Sequence, residues 1–200
     1  MYAYVGVCLI LVCFGAFHDL TGREVIREWI RSKLGLGIAT YAMLRSFISL
    51  ALLVLSLVLL FRWTPTTVRL FRPILGLFAI VPTMFAFWIA GMALGQVAKS
   101  RRLPQFFGVR EYPKVFYYSG AYSICRHPMY AGWLIASWGI VLSRPYLLTV
   151  VYNGLLTIYV LYEALQEEKK MIELFGDRYI EYRKRVPFII PYGFLKTPQK

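Results

Sequence analysis

Four stretches of this chain, residues 1–17, 46–61, 74–95 and 129–143, contain no charged residue, and a fifth, 146–162, follows the fourth directly after Arg144-Pro145. A run of that length without charge hides its side chains completely only in lipid, where a hydrocarbon core of about 30 Å must be crossed. Inside that core each backbone N–H and C=O has to be satisfied within the chain, which restricts the fold to helices or a closed barrel. The runs are continuous and show no two-residue alternation, so helices are expected. With 58% hydrophobic residues and a mean hydropathy of +0.56, the chain falls outside the range of an ordinary water-soluble domain. The expected fold class is therefore all-α, a polytopic membrane protein with about five transmembrane helices, the last two forming a helical hairpin. The fourth and fifth runs are the short ones, since about 15 helical residues reach only about 22 Å. Local thinning of the bilayer or a position buried in protein must make up the difference.

An odd number of crossings places the two ends of the chain on opposite sides, and the basic residues choose between the two orientations. Arg23, Arg27, Arg31, Lys33 and Arg45 follow the first run; Lys99, Arg101, Arg102, Arg110, Lys114 and Arg126 follow the third; eight more lie beyond the fifth. Only Arg62, Arg69, Arg72 and Arg144 fall on the other side. The expected localisation is an integral membrane protein with its N-terminus outside and its C-terminus cytoplasmic. The net charge of +13 is then accounted for by topology and by attraction to membrane lipids with anionic headgroups, and no nucleic acid is needed as a partner. The N-terminal run has no basic leader and no small-residue cleavage site, so it reads as a retained span. Cys8, Cys13 and Cys125 have neither redox nor zinc spacing and are expected as free thiols. Two histidines without a Cys/His cluster give no metal site.

One membrane domain, 1–200, is expected to comprise a three-span scaffold, 1–95, and a functional part, 96–200, made of a cofactor-binding loop, the hairpin and a cytoplasmic tail. Pro82 should kink the third span, and Gly91 and Gly95 should let it approach a neighbour closely. Residues 96–121 form the longest connection and are the candidate lid or re-entrant loop.

Pro128 suits the first position of a helix, and Ser143-Arg144-Pro145 allows only a tight turn. Equal travel up and back then makes residues 122–130 neighbours of 163–168. The groups expected to converge are Arg126, His127, Tyr130, Glu163, Glu167 and Glu168, with Tyr122 close by. Glu163 and Glu167, one helical turn apart, repel unless a cation lies between them; Arg126 or a cationic ligand would fill that position. The unpaired N–H groups at the start of the fourth span offer an anion site opposite these acids. Such a pocket suits a zwitterion, and S-adenosylmethionine, with its carboxylate, amine and sulfonium, matches it.

Arg-His-Pro-x-Tyr-x-Gly at 126–132, the paired Glu167-Glu168, and Phe175-Gly176-Asp177-x-Tyr179-x-x-Tyr182 followed by Val186-Pro187 and Pro191 resemble the isoprenylcysteine carboxyl methyltransferase and phospholipid methyltransferase superfamily of membrane enzymes. The likeness covers about a third of the chain; the N-terminal half is more similar to bacterial membrane proteins grouped with denitrification genes. The resemblance implies an S-adenosylmethionine-dependent membrane methyltransferase, and no G-x-G-x-x-G after a strand is present to suggest a soluble nucleotide fold. By position, Tyr122, His127, Pro128, Met129, Tyr130 and Glu167 would line the cofactor. The catalytic candidates are Arg126 and Glu168, as polarising groups, and Glu163, which with His127 is a candidate to take a proton from the acceptor. The acceptor is a small or lipophilic molecule: a thiol, a carboxylate or a lipid amine. The prenylcysteine enzymes carry an arginine at the position of Glu163 that helps hold a substrate carboxylate, so the charge there is reversed.

Two other readings remain at this point. Membrane sterol-type reductases share an Arg-His-Pro-x-Tyr-x-Gly element and use NADPH, whose phosphate needs cationic groups. A non-enzymatic membrane accessory protein would bind neither cofactor. His18-Asp19 reads as an interfacial pair, and Tyr179 and Tyr182 beside Arg183-Lys184-Arg185 as an amphipathic tail lying at the membrane surface.

Overall fold

The computed structural model describes residues 2–64, 84, 88, 91–92 and 118–190. Most of the expected third span with its Pro82 kink, Gly95 of the 91/95 glycine face, most of the 96–121 loop and the tail from Pro191 lie outside the described residues. Those that are described form seven helices: α1 (Tyr2–Gly22), α2 (Glu24–Leu34), α3 (Ile38–Trp63), α4 (Ala121–Ile124), α5 (Pro128–Ser143), α6 (Leu147–Phe175) and α7 (Asp177–Arg185). Among the described residues there is no strand.

Helices α1, α3 and α6 are long and apolar enough to cross a membrane, and α5 is a shorter apolar helix. The protein is a helical membrane protein, with three such helices among the described residues where about five had been expected over the whole chain. Its surface agrees with a lipid solvent: Leu9, Val12, Phe47, Leu50, Val58 and Ile158 are all exposed. The inward faces meet in a cluster of Val7 and Leu11 from α1, Leu53 and Leu60 from α3, and Leu148, Tyr152, Leu156 and Val160 from α6. Ser56 Oγ and Tyr152 OH, 2.8 Å apart, satisfy each other inside it.

The hairpin follows from local chemistry. Pro128 opens α5 with its fixed φ and no N–H to orphan. The chain then turns at Arg144-Pro145, where Thr149 caps the start of α6 by donating to Arg144 O and accepting from Tyr146 N–H. Trp138 Nε1 donates to Thr157 Oγ1 at 3.0 Å, Ala131 packs with Ala164, and Arg126 reaches Glu168. Each step down α5 is matched by an equal step up α6, as antiparallel helices require. Arg144 fastens the tip of the hairpin to α3 by donating to Thr64 O, its guanidinium 4.8 Å over the Phe61 ring.

Helix α6 does not stop where its apolar run stops. It continues unbroken through Glu163, Glu167 and Glu168 to Phe175, so the acids stand on the same rod that crosses the lipid. Gly176 ends it at φ 53°, ψ −132°, a conformation that strongly favours glycine, and turns α7 back along it. Tyr179 and Tyr182 of α7 are thereby buried against Met171, Ile172, Phe175 and Val186. The sequence reading of these two tyrosines as part of a surface tail is corrected: their face of α7 is turned to the protein.

Candidate functional site

Arg126 lies in the short link between α4 and α5, and its side chain is 10% exposed. Its Nε donates to Glu168 Oε1 at 2.5 Å, and its Nη1 donates to the carbonyls of Val186 at 2.6 Å and Arg183 at 3.0 Å. Glu168, 5% exposed, has a second cation at its other oxygen, Arg183 Nε at 3.3 Å. A carboxylate this deep is tolerated because the two guanidinium groups repay its lost hydration. Backbone bonds reinforce the junction: Arg126 N–H donates to Pro187 O at 2.8 Å and His127 N–H to Phe188 O at 3.1 Å. Tyr182 OH donates to Tyr122 O at 2.6 Å. The segment after α7 thus forms one wall of the corner, which sequence spacing had not revealed; the signal available was the Val186-Pro187 extended pair after a basic helix end.

His127 is buried between Tyr130, stacked on it with ring centres 5.6 Å apart, and Phe188, edge-on at 5.0 Å. Nδ1 is 3.6 Å from Glu167 Oε2, and Nε2 is 3.5 Å from Glu168 Oε1. Burial works against its protonation, but the hydrogen-bonding reach and charge of Glu167 and Glu168 together outweigh it, and its pKa is raised. Nε2 itself is buried without a hydrogen-bond partner among the described residues. Glu167 keeps 47% of its side chain exposed, so a carboxylate faces outward beside that ring. Neither Met129 N–H nor Tyr130 N–H, in the first turn of α5, has an acceptor among the described residues.

The neighbouring Cys125 is fully buried, and burial pushes its thiol up to about 11 against the opposing effect of a backbone hydrogen bond from His127. It is a packed thiol and no nucleophile.

The structure therefore brings Arg126, His127, Tyr130, Glu167 and Glu168 together, with Tyr122, Pro128 and Met129 on the adjoining turns. It does not put Arg126 between Glu163 and Glu167. The guanidinium is taken by Glu168, because the hairpin register sets residue 126 opposite 168. The ring neighbour of Glu163 comes instead from the N-terminal half: His18 Nδ1 is 3.9 Å from Glu163 Oε1. His18 also meets Tyr159 OH at 2.9 Å, and Arg45 of α3 donates to His18 O at 2.9 Å and approaches His18 Nε2 at 3.3 Å. Of the His18-Asp19 pair at the end of the first span, Asp19 meets Arg23 at 2.7 Å, and His18 turns to Tyr159 and Glu163. Sequence reasoning could not have linked positions 18, 45 and 163, which are joined only by the packing of α1 on α3 and α6.

A cleft of about 550 Å³ opens along the outer side of α7 between Tyr118, Asp177, Arg178 and Arg185. None of the expected cofactor residues lines it, so the polar corner, where buried groups of both signs are gathered, is the better candidate for chemistry.

The family model described as "NnrU protein" matches residues 7–189. The methanethiol S-methyltransferase of Pseudomonas deceptionensis is 28% identical over 198 residues, covering 92% of this chain and 71% of that protein. That of Crocosphaera subtropica is 32% identical over 93 residues, or 46% of this chain and 36% of that one. The protein-S-isoprenylcysteine O-methyltransferase of Mus musculus is 40% identical over 78 residues, 37% of this chain and 26% of that enzyme. The chain thus spans from about a quarter to about 70% of the length of these curated relatives. No solved structure matches it.

Proposed function

The chain belongs to the NnrU family, and from that premise we propose that it is an S-adenosylmethionine-dependent membrane methyltransferase acting on a small or lipophilic acceptor at the cytoplasmic face. The observation that carries this reading is the corner itself: a half-exposed Glu167, a buried His127 whose Nε2 lies 3.5 Å from Glu168, and two N–H groups at the start of α5 that have no acceptor among the described residues. Donors and an acid facing one another fit a zwitterionic amino acid moiety. Glu167 is suited to its ammonium group, the Met129 and Tyr130 N–H groups to its carboxylate, and Tyr122, His127, Pro128 and Tyr130 to lining the remainder. When bound, S-adenosylmethionine supplies an electrophilic methyl group. The chain's part is then alignment and exclusion of water, because displacement at carbon demands a collinear approach. Arg126 and Glu168 act by holding the segment after α7 against the start of α5, which fixes His127 and Glu167.

Among acceptors, a thiol is favoured over a carboxylate or lipid amine. The relatives aligned over 92% of the chain are named methanethiol S-methyltransferases, and Glu163 would repel a carboxylate. The excess of basic residues in the segments after α1 and beyond α6 supports a cytoplasmic site with the N-terminus outside. NADPH is disfavoured because Arg126 is consumed by Glu168 and two carbonyls, and an acid faces the corner. Calorimetry of the detergent-purified protein is expected to detect S-adenosylmethionine and not NADPH, with Glu167→Ala weakening the former at least about tenfold. Binding of NADPH alone, or of neither, would overturn the proposal.

A further inference from the structure

The polar cluster on the α1 side of Glu163 is not needed to hold the cofactor. Glu163 Oε1 is buried and has no hydrogen-bond partner among the described residues. It stands one turn before Glu167 on α6, so the two side chains leave one face with their Cβ atoms about 6 Å apart. Its neighbours are His18 of α1, Tyr130 of α5, and Tyr159 and Lys170 of its own helix, with Asp19 of α1 and Arg45 of α3 joined to the group through Tyr159 and His18. Arg45 has only donors, so at His18 Nε2 it selects the tautomer with that nitrogen bare and the ring proton on Nδ1. That proton faces Tyr159 OH and Glu163. Gly15 leaves room for the Tyr159 ring, since a Cβ there would sit 3.0 Å from Tyr159 Cδ2. The cluster is thus built around a carboxylate whose oxygen nearer His18 is buried and accepts no hydrogen bond among the described residues.

We propose that Glu163 is the base that takes the acceptor's proton, and that His18, from the N-terminal half and itself held by Arg45, is a positioning residue that keeps it aimed. The inference rests on the methyltransferase reading and gives the acceptor's chemistry: a neutral thiol that must lose a proton. The S–H proton passes to Glu163 and the sulfur forms a bond to the methyl carbon. The bond from that carbon to the donor's sulfonium sulfur breaks, its electron pair staying on the donor sulfur.

The test compares two acceptors, a small alkyl thiol, protonated near neutral pH, and an aryl thiol already ionised there. Glu163→Gln is expected to lower kcat for the alkyl thiol by about 10²–10³ while changing the aryl thiol rate and S-adenosylmethionine affinity by less than about threefold. His18→Asn, which keeps a donor near Nδ1, is expected to retain most of the alkyl thiol rate, and His18→Phe to match Glu163→Gln. Equal losses with both thiols, or none, would overturn the proposal while leaving the methyltransferase reading intact. Wild-type protein that binds S-adenosylmethionine and methylates neither thiol but does methylate a carboxylate would overturn the proposal alone. Wild-type protein that does not bind S-adenosylmethionine would sink both. If a His18 variant does not fold, the wild-type rate across thiols of graded acidity decides: a shallow dependence supports a base, a steep one refutes it.

Discussion

Replacing Arg126 by alanine removes three hydrogen bonds at once, to Glu168 and to the Val186 and Arg183 carbonyls, and strands a carboxylate whose side chain is 5% exposed. Breaking one partner out of a buried pair costs about 3–5 kcal/mol. Arg183, already 3.3 Å from Glu168, offsets part of that, since it can close on the vacated oxygen. The two carbonyls return to water or to each other's neighbours at about 1 kcal/mol each. The expected net loss is about 3 kcal/mol, which for a chain of this length lowers the unfolding temperature by about 6–12 °C. Cys125 supplies the assay: fully buried, with its thiol pushed up to about 11, it is silent to a thiol-reactive dye until the corner opens. With Cys8 and Cys13 replaced by alanine, dye uptake against temperature reports this junction directly. Glu168→Gln alone should be costly as well, and the double variant less costly than the sum of the two. A shift below about 2 °C for Arg126→Ala, or strict additivity in the cycle, would show that the pair does not hold the corner together.

Three further outcomes are expected. Because the folded pKa of His127 is raised above its ordinary 6.5, its stabilising contribution is complete below that value and lost as pH rises through the folded value. Wild-type protein should therefore lose more thermal stability than His127→Asn between about pH 6 and about pH 8, and parallel curves would refute the assignment. Gly15→Ala should destabilise by about 1–2 kcal/mol through the Tyr159 ring, whereas Gly6→Ala, with nothing within 4 Å of the added carbon, should be neutral or stabilising in the same thermal assay. Arg144→Ala should cost about 1–2 kcal/mol by freeing the hairpin tip from Thr64 and Phe61, and Arg144→Lys should recover only part of it; equal stabilities for all three proteins would count against the clasp.

Much of the hairpin was legible in the sequence because its punctuation is local: Pro128 at one end, Arg144-Pro145 at the other, and lengths that bring residue 126 opposite the 163–168 segment. What pairs with what was less so. Glu167 and Glu168 are adjacent in sequence, yet a helix turns them about 100° apart, and only the tertiary register decides that Glu168 points inward to Arg126 while Glu167 remains half exposed. The partners of Glu163 lay beyond sequence reasoning, since His18 and Arg45 are more than 100 positions away and reach it through helix packing that carries no spacing rule. The burial of Tyr179 and Tyr182 was hidden for a related reason. A basic helix with two aromatic residues has the same pattern whether its apolar face meets lipid or protein, and the turn at Gly176 makes that choice.

The unbroken course of α6 ties events in the bilayer to those at the polar corner. Its 29 residues make a shaft about 43 Å long, anchored along its first half by α1, α3 and the hairpin, with Glu163, Glu167 and Glu168 about 24–32 Å along it. A stiff lever of that length turns a tilt of about 3° into a displacement of about 2 Å at its tip. The acids therefore move as one body with the shaft, and the bracing of its apolar half sets how steadily they stand.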